Sequence, residues 1–199
     1  MSTNRSTSKP GTSLSLLSRV RSDDPVAWSS LVDLYAPLVA SWCLRRGLGI
    51  EDTDDVIQNV FISVARGLET FRHDGNRDGS FRAWLWTITR NRILDVVRAR
   101  RPDRAVGGSS AAMRLGQVMD QAIDEEEPTS QLDLNQLLRR AMSQIEATVE
   151  RQTWQAFWRT VVDGQSSDVV AAELNLSTAT IRQYRSRILR RLREQMGDC

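Results

Sequence analysis

The side chains best suited to chemistry are arginines near the C-terminus. Six arginines and no acidic residue occur between Ser177 and Arg193. A guanidinium binds phosphate oxygens and guanine edges through paired hydrogen bonds, so this residue type favours nucleic acid as the partner. At helical spacing the polar residues of this segment lie opposite the apolar ones. A solvated amphipathic helix would ordinarily mix charges of both signs. The segment therefore predicts DNA binding.

The residues before this basic helix complete a helix-turn-helix pattern. A short apolar helix over 168–174 precedes Asn175, a residue type that tolerates the left-handed backbone of a tight turn. Ser177 then caps the basic helix. In this arrangement the second helix enters the major groove of duplex DNA. The polar face predicted to meet the groove consists of Arg182, Gln183, Ser186, Arg187 and Arg190.

A second basic helix, predicted from Ser80 to about Arg101, contains two tryptophans. Trp84 and Trp86 lie about 200° apart around a helix axis, so they cannot both face one core. An exposed indole between guanidiniums would suit single-stranded DNA, because bases stack on aromatic rings and phosphates attract arginine. The alternative, one tryptophan in the core and the other packed on the preceding helix, stays open at this point.

The helix predicted over 52–71 has a polar stripe opposite its apolar face, and the stripe contains one aliphatic residue, Ile62. Such a stripe suits a partner helix. A single exposed apolar residue is also common on ordinary protein surfaces.

Several classes of function find no support in the composition. The chain has one histidine and two distant cysteines, whereas a zinc site needs about four ligands at characteristic spacing. No phosphate-binding glycine loop, nucleophile elbow or pair of catalytic carboxylates is evident, and no apolar stretch approaches the length of a membrane span. We therefore expect a cytoplasmic protein that is not an enzyme, has no cofactor or metal, and does not insert into membranes.

The fold class predicted from the periodicity is all-α, with two small helical domains joined by a flexible linker. The predicted divisions are a disordered tail at 1–12, a helical domain at 13–101, a flexible acidic linker at 102–128 and a helix-turn-helix domain with its own separate core at 129–197. Pro37, inside the second predicted helix, predicts a kink or break.

Three motifs together carry a resemblance to a known family. They are DDVIQNVF at 54–61, FRAWL at 81–85 and VVAAELNLSTATIRQYRSRILRRLRE at 169–194. The chain resembles RNA polymerase sigma factors of the extracytoplasmic-function (ECF) subgroup over about 25–101, which is similar to sigma region 2, and 132–196, which is similar to region 4.

The resemblance implies three sets of site residues. Those that would bind the polymerase clamp are Asp54, Asp55, Gln58, Asn59 and Ile62. Those that would contact the unpaired −10 element are Arg82, Trp86, Arg90, Asn91, Arg92 and Arg98, together with the 72–80 loop. Those that would read the −35 duplex are Thr178, Thr180, Arg182, Gln183, Ser186, Arg187 and Arg190.

The function that the resemblance implies is promoter-specific initiation of transcription. The expected partners are core RNA polymerase and promoter DNA, with an anti-sigma factor as a further candidate. The alternative is a stand-alone helix-turn-helix transcriptional regulator whose N-terminal module senses a ligand, and copurification with core polymerase would distinguish the two.

Overall fold

The computed structural model describes residues 16–71, 80–100 and 127–196, and all regular secondary structure in these ranges is helical, as predicted. An N-terminal part contains four helices: α1 (Leu16–Arg21), α2 (Pro25–Arg45), α3 (Ile50–Gly67) and α4 (Phe81–Ala99). A C-terminal part contains α5 (Gln131–Glu146), α6 (Arg151–Phe157), which continues as a π-helical segment (Trp158–Val162), α7 (Ser167–Glu173) and α8 (Thr178–Met196). The predicted tail, the 72–79 loop and linker residues 101–126 lie outside the described residues.

Local sequence signals account for the start of α2. Asp24 accepts hydrogen bonds from the backbone N–H groups of Val26 (2.9 Å) and Ala27 (3.2 Å), and Pro25 occupies the first helical position. The break that Pro37 suggested does not occur, since α2 continues to Arg45. A proline removes one helical hydrogen bond, and the fully packed residues on both sides of Pro37, such as Leu34 and Val39, hold the helix together.

Aromatic rings fill the core of the N-terminal part. Phe81, at the start of α4, lies 5.0 Å from Tyr35 and 5.8 Å from Phe71 between ring centroids. Trp42 on α2 and Trp86 on α4 meet edge to face at 5.4 Å. These contacts fix α4 against α2 and α3.

The C-terminal part begins with a capping box. The side chain of Ser130 accepts from the backbone N–H of Asp133, and the Asp133 carboxylate accepts from the backbone N–H of Ser130. The helix expected over about 149–163 is α6 plus the π-helical segment. No sequence pattern indicated this change of helix type.

The prediction of a second, separate core is wrong. Leu137, Ala141 and Ile145 of α5 and the C-terminal half of α8 belong to the same buried cluster as the N-terminal residues. The reason is that α5 packs directly on α2 and the end of α8 lies near α1, so apolar faces of both parts cover one another. A small separate cluster remains around Val170, Ala171 and Ile181.

Within the described ranges, no helix is long and apolar enough to cross a membrane, and no group of metal-binding side chains is clustered. Cys43 is buried, and burial raises the pKa of its thiol to about 12.

Candidate nucleic-acid interface

The helix-turn-helix of the C-terminal part has the predicted geometry. Ser166 caps α7, and its side chain accepts from the backbone N–H of Val169 at 3.3 Å. Asn175 has a φ of +52°, the left-handed turn conformation predicted for it. Ser177 precedes α8 and accepts from the backbone N–H of Thr180 at 3.0 Å. The two helices are therefore set by local signals that the sequence contains.

Helix α8 buries one face and presents the opposite face to solvent. Ile181 packs in the small cluster with α7, while Ile188, Leu192 and Met196 pack in the shared core. The exposed side chains on the other face are those of Arg182, Gln183, Ser186, Arg187 and Arg190. This face has the side-chain types that read base edges in the major groove.

The first turn of α8 differs from the rest of this face, because its two threonines are already engaged. The Thr178 hydroxyl donates to the Asp168 carboxylate at 3.2 Å, and the Thr180 hydroxyl lies 2.8 Å from that of Ser177. Both threonines are half-buried. Their hydroxyls stabilise the turn between α7 and α8 as the structure stands.

The predicted −10 residues divide into two groups along α4. Towards its C-terminal end Asn91 and Arg98 are exposed, and Arg90 and Arg92 are half-buried. Arg92 donates to the Ser63 hydroxyl at 3.0 Å and pairs with Asp95 at 3.3 Å. Ser63 and Asp95 together orient the Arg92 guanidinium.

The tryptophans of α4 are not available as stacking platforms in this arrangement. Trp86, a predicted −10 residue, is only 3% exposed; it packs on Trp42 and has the Arg46 guanidinium 5.6 Å from its ring centroid. Trp84 is half-buried and stacks on Phe71 at 4.9 Å. Gly67 on α3 makes room for it, since a Cβ there would lie 3.0 Å from Trp84 Cζ2. The structure therefore shows the alternative that the sequence left open: Trp86 lies in the core and Trp84 packs on α3 and Phe71, and the −10 role of Trp86 stays a prediction.

Arg82, at the start of α4, is also largely covered. Its side chain is 15% exposed, and its Nε lies 2.5 Å from a carboxylate oxygen of Glu127. Glu127 belongs to the acidic stretch that the sequence assigned to a solvated linker. The structure thus brings a linker carboxylate onto a residue predicted to bind DNA.

The predicted polymerase-binding residues share an exposed face of α3. Val56, Val60 and Val64 are buried on the other side of the helix. The exposed residues on the free face are Asp54, Asp55, Gln58, Asn59 and Ile62, the last with 49% of its surface accessible. The Asn59 side chain donates to the backbone oxygen of Asp55 at 2.9 Å, within the same helix.

Sequence reasoning missed some residues that shape these surfaces. Tyr184 lies below the Arg187 guanidinium, with the ring centroid 5.9 Å away, and so orients a predicted base-reading arginine. Ser130 and Asp133 form a motif visible in the sequence, a serine followed three residues later by an acid. The motif signals the start of α5 but not the partners that Asp133 finds on α2.

Two family models match parts of the chain that the structure describes as helical. Residues 31–102 match the family model described as sigma-70 region 2, and residues 157–195 match that of bacterial regulatory proteins of the luxR family. The chain is 23% identical to the ECF RNA polymerase sigma factor SigW of Bacillus subtilis, over 92% of this chain and 95% of SigW. It is 29% identical to the ECF RNA polymerase sigma-E factor of Escherichia coli K12, over 88% of this chain and 87% of the relative.

A third relative is the RNA polymerase sigma factor CnrH of Cupriavidus metallidurans, 27% identical over 83% of this chain and 84% of CnrH. The solved structure of CnrH in complex with the cytosolic domain of CnrY aligns with a TM-score of 0.37 and 24% identity, over 89% of this chain and 92% of that one. The region 2 match and the similarity to several ECF sigma factors over 83–92% of the chain lead to one conclusion: the chain belongs to the ECF subgroup of RNA polymerase sigma factors, and it directs promoter-specific transcription.

Proposed function

We propose that this sigma factor divides its work among three surfaces: α8 reads the −35 duplex, α4 holds the melted −10 strand, and α3 docks on core RNA polymerase. The observation that carries the proposal is the exposed polar face of α8, on a well-formed helix-turn-helix, which has no acidic residue up to Arg193 and meets its first one at Glu194, 3.8 Å from Arg190. The other two assignments rest on the family resemblance, and they concern exposed residues of α3 and α4.

For the −35 element, the first candidates are Arg182 and Arg187. Both are exposed on the face of α8 opposite its buried residues. A bidentate contact between arginine and guanine contributes about 1–3 kcal/mol of discrimination against a wrong base. Gln183 and Ser186 lie between the two arginines and complete the reading face.

For the −10 element, Asn91 is the residue we propose to read an extruded base. Its exposed amide offers both a donor and an acceptor, which suits a base edge after pairing is lost. Arg90, Arg92 and Arg98 would neutralise the neighbouring phosphates. Arg82 and Trp86 can join this site only if their surroundings rearrange, because both are covered in the structure.

For core polymerase, we propose the exposed face of α3 centred on Asp55, Gln58 and Ile62. Acidic and amide groups around one exposed isoleucine provide a polar rim and an apolar contact, the usual composition of a protein interface. We further propose that the factor acts in the cytoplasm, without catalytic activity of its own, and that an anti-sigma factor regulates it.

A second candidate function is a stand-alone transcriptional regulator. The observation in its favour is the luxR-type match of the C-terminal helix-turn-helix. The region 2 match over residues 31–102 argues against it, since that family model describes a domain of sigma factors and not a ligand-sensing module.

Runoff transcription with purified core polymerase tests the proposal. The complete chain should direct specific transcripts from a random-promoter library, and sequencing the selected templates would yield the −35 and −10 elements. Arg182→Ala should change the selected −35 sequence while the −10 sequence stays the same. Transcripts independent of the chain, or failure to copurify with core polymerase, would contradict the proposal and favour the stand-alone regulator.

A further inference from the structure

The segment leading into α5 lies on the surface formed by α2 and α4. Glu127 pairs with Arg82 of α4 at 2.5 Å. Thr129 connects the same carboxylate to α2, because its hydroxyl accepts from the Trp42 indole N–H at 3.0 Å and donates to Glu127. Glu127 is therefore held by both helices.

Asp133 makes a second connection one turn further on. Its carboxylate accepts from the Ser41 hydroxyl at 2.8 Å and pairs with the Arg45 guanidinium. Arg45 also donates to the backbone oxygen of Pro128 and, at 3.1 Å, to the Ser130 hydroxyl. We call Glu127, Thr129 and Asp133, with their partners on α2 and α4, the clasp.

Further contacts hold the two parts against each other nearer the N-terminal end of α2. Gln144 of α5 donates to the backbone oxygen of Ser30 at 2.9 Å, and the Tyr35 hydroxyl donates to the backbone oxygen of Gln195 at 3.3 Å. Together with the shared core, these bonds hold α5 and the end of α8 on the N-terminal part.

This closed arrangement is too small to bind both promoter elements at once. Elements centred 25 base pairs apart are separated by about 85 Å along B-DNA, at about 3.4 Å per base pair. A compact body formed by residues 16–71, 80–100 and 127–196 has a radius of gyration of about 15 Å, and so a diameter of about 40 Å. The chain from Arg100 to Glu127 can reach about 90 Å when extended, so separation of the two parts is feasible.

We propose that the clasp is an autoinhibitory contact in which the Glu127 carboxylate occupies, on Arg82, the place of a −10 phosphate. The inference rests on the proposed function, since it takes Arg82 as a −10 residue. The Arg82 side chain is only 15% exposed beside Glu127, so a DNA phosphate cannot reach it while this contact is closed. The −35 face of α8 stays exposed in the same arrangement, so the closed factor retains −35 reading while −10 binding is withheld. Binding to polymerase would favour the open arrangement.

Whether the clasp is closed or open can be measured without DNA. Burial keeps the Cys43 thiol protonated and unreactive at neutral pH, so a Cys199→Ser chain accepts dyes only at introduced cysteines. Ser29→Cys on α2 and Asp163→Cys after the π-helical segment are exposed sites on the two parts. Energy transfer between dyes at these positions reports whether the parts are together.

Two sets of variants open the clasp from opposite sides. Glu127→Gln with Asp133→Asn removes the charges on the C-terminal side, and Arg45→Gln removes the partner of Asp133 on α2. Both should lower the energy transfer of the free protein, as core polymerase should for the unchanged chain. Glu146→Gln with Glu150→Gln is the matched control, because both carboxylates are exposed and the pair loses the same two unit charges, and Glu150 is an N-cap residue without a side-chain capping bond.

The second measurement is the affinity of the free full chain for the single-stranded −10 oligonucleotide obtained from promoter selection. The Glu127→Gln/Asp133→Asn variant should bind it about three- to tenfold more tightly, with equal affinity for the −35 duplex. One additional phosphate contact should steepen the dependence of log K on log salt by about 0.7. Adding Arg82→Ala should remove both gains.

Each result of these measurements either supports or overturns the inference. Unchanged energy transfer in both sets of variants would overturn the clasp, whether or not the chain is a sigma factor. Reduced energy transfer with unchanged −10 affinity and salt slope would make the contact ordinary domain packing and overturn autoinhibition. Failure of the unchanged chain to support runoff transcription would instead refute the proposed function. Circular dichroism of all variants should match that of the unchanged chain.

Discussion

Replacing Asp133 by asparagine should lower the free energy of unfolding at neutral pH by about 2 kcal/mol. Burial of Asp133 raises the pKa of its carboxyl, but hydrogen bonds from Ser130, Arg45 and Ser41 outweigh burial and leave the pKa at about 2, against an ordinary value of 3.8. A carboxyl with this difference between folded and unfolded states contributes about 2 kcal/mol at pH 7. The neutral amide of an asparagine cannot make that contribution.

The contribution of Asp133 to stability should decrease as the pH falls. Because the pKa of Asp133 is lowered on folding, its contribution is fully present above pH 4 and disappears as the pH falls towards 2. Urea unfolding followed by circular dichroism should therefore show a difference of about 2 kcal/mol between the two proteins at pH 7. The difference should shrink steadily between pH 4 and 2.

A double-mutant cycle separates the part of this energy that crosses between α2 and α5. Arg45 is 36% exposed, so solvent weakens its pairing with Asp133, and we expect a coupling of about 0.5–1 kcal/mol between Arg45→Gln and Asp133→Asn. The remainder belongs to the capping box at Ser130 and to the hydrogen bond that Ser41 of α2 donates to Asp133. If Asp133→Asn lowers the free energy of unfolding by less than about 0.5 kcal/mol at pH 7, or by the same amount at every pH down to 2.5, this reasoning is refuted.

Three further predictions concern the proposed surfaces. Arg182→Ala should relax sequence preference at one or two −35 positions, whereas Arg193→Ala should weaken binding evenly across a promoter library; identical profiles would remove the base-reading role. Replacing Asp55 and Gln58 together by arginine should abolish copurification with core polymerase at unchanged helicity, and retained copurification would exclude α3 as the docking face. Asn91→Ala should slow promoter opening, measured by permanganate reactivity of unpaired thymines, while −35 binding stays normal; opening at the normal rate would contradict its role.

Local signals in the sequence were enough for the helix-turn-helix. Ser166 and Ser177 cap their helices, and Asn175 adopts the left-handed turn, because each depends only on neighbours within a few residues. The same holds for the Asp24–Pro25 start of α2. Capping and turn chemistry can be predicted from the residue types involved.

The environment of α4 could not be predicted in this way. Helical periodicity assumes one core face, but α4 is covered on several sides: Phe71 stacks on Trp84, and Trp42 meets Trp86. Both indoles are covered because partners come from distant parts of the chain. Glu127 on Arg82 is likewise a long-range contact without a local signal.

The division of α8 between two environments has a consequence for promoter response. This helix of 19 residues is a rod about 28 Å long. Its first turns pack with α7 and carry the reading face, while Gln195 in its last turn accepts a hydrogen bond from Tyr35 on α2. A stiff helix transmits a tilt at one end to the other. Substitutions near the end of α8, remote from any base, should therefore alter how binding of the −35 element affects the N-terminal part. Residues that never contact DNA would in this way influence the response to different promoters.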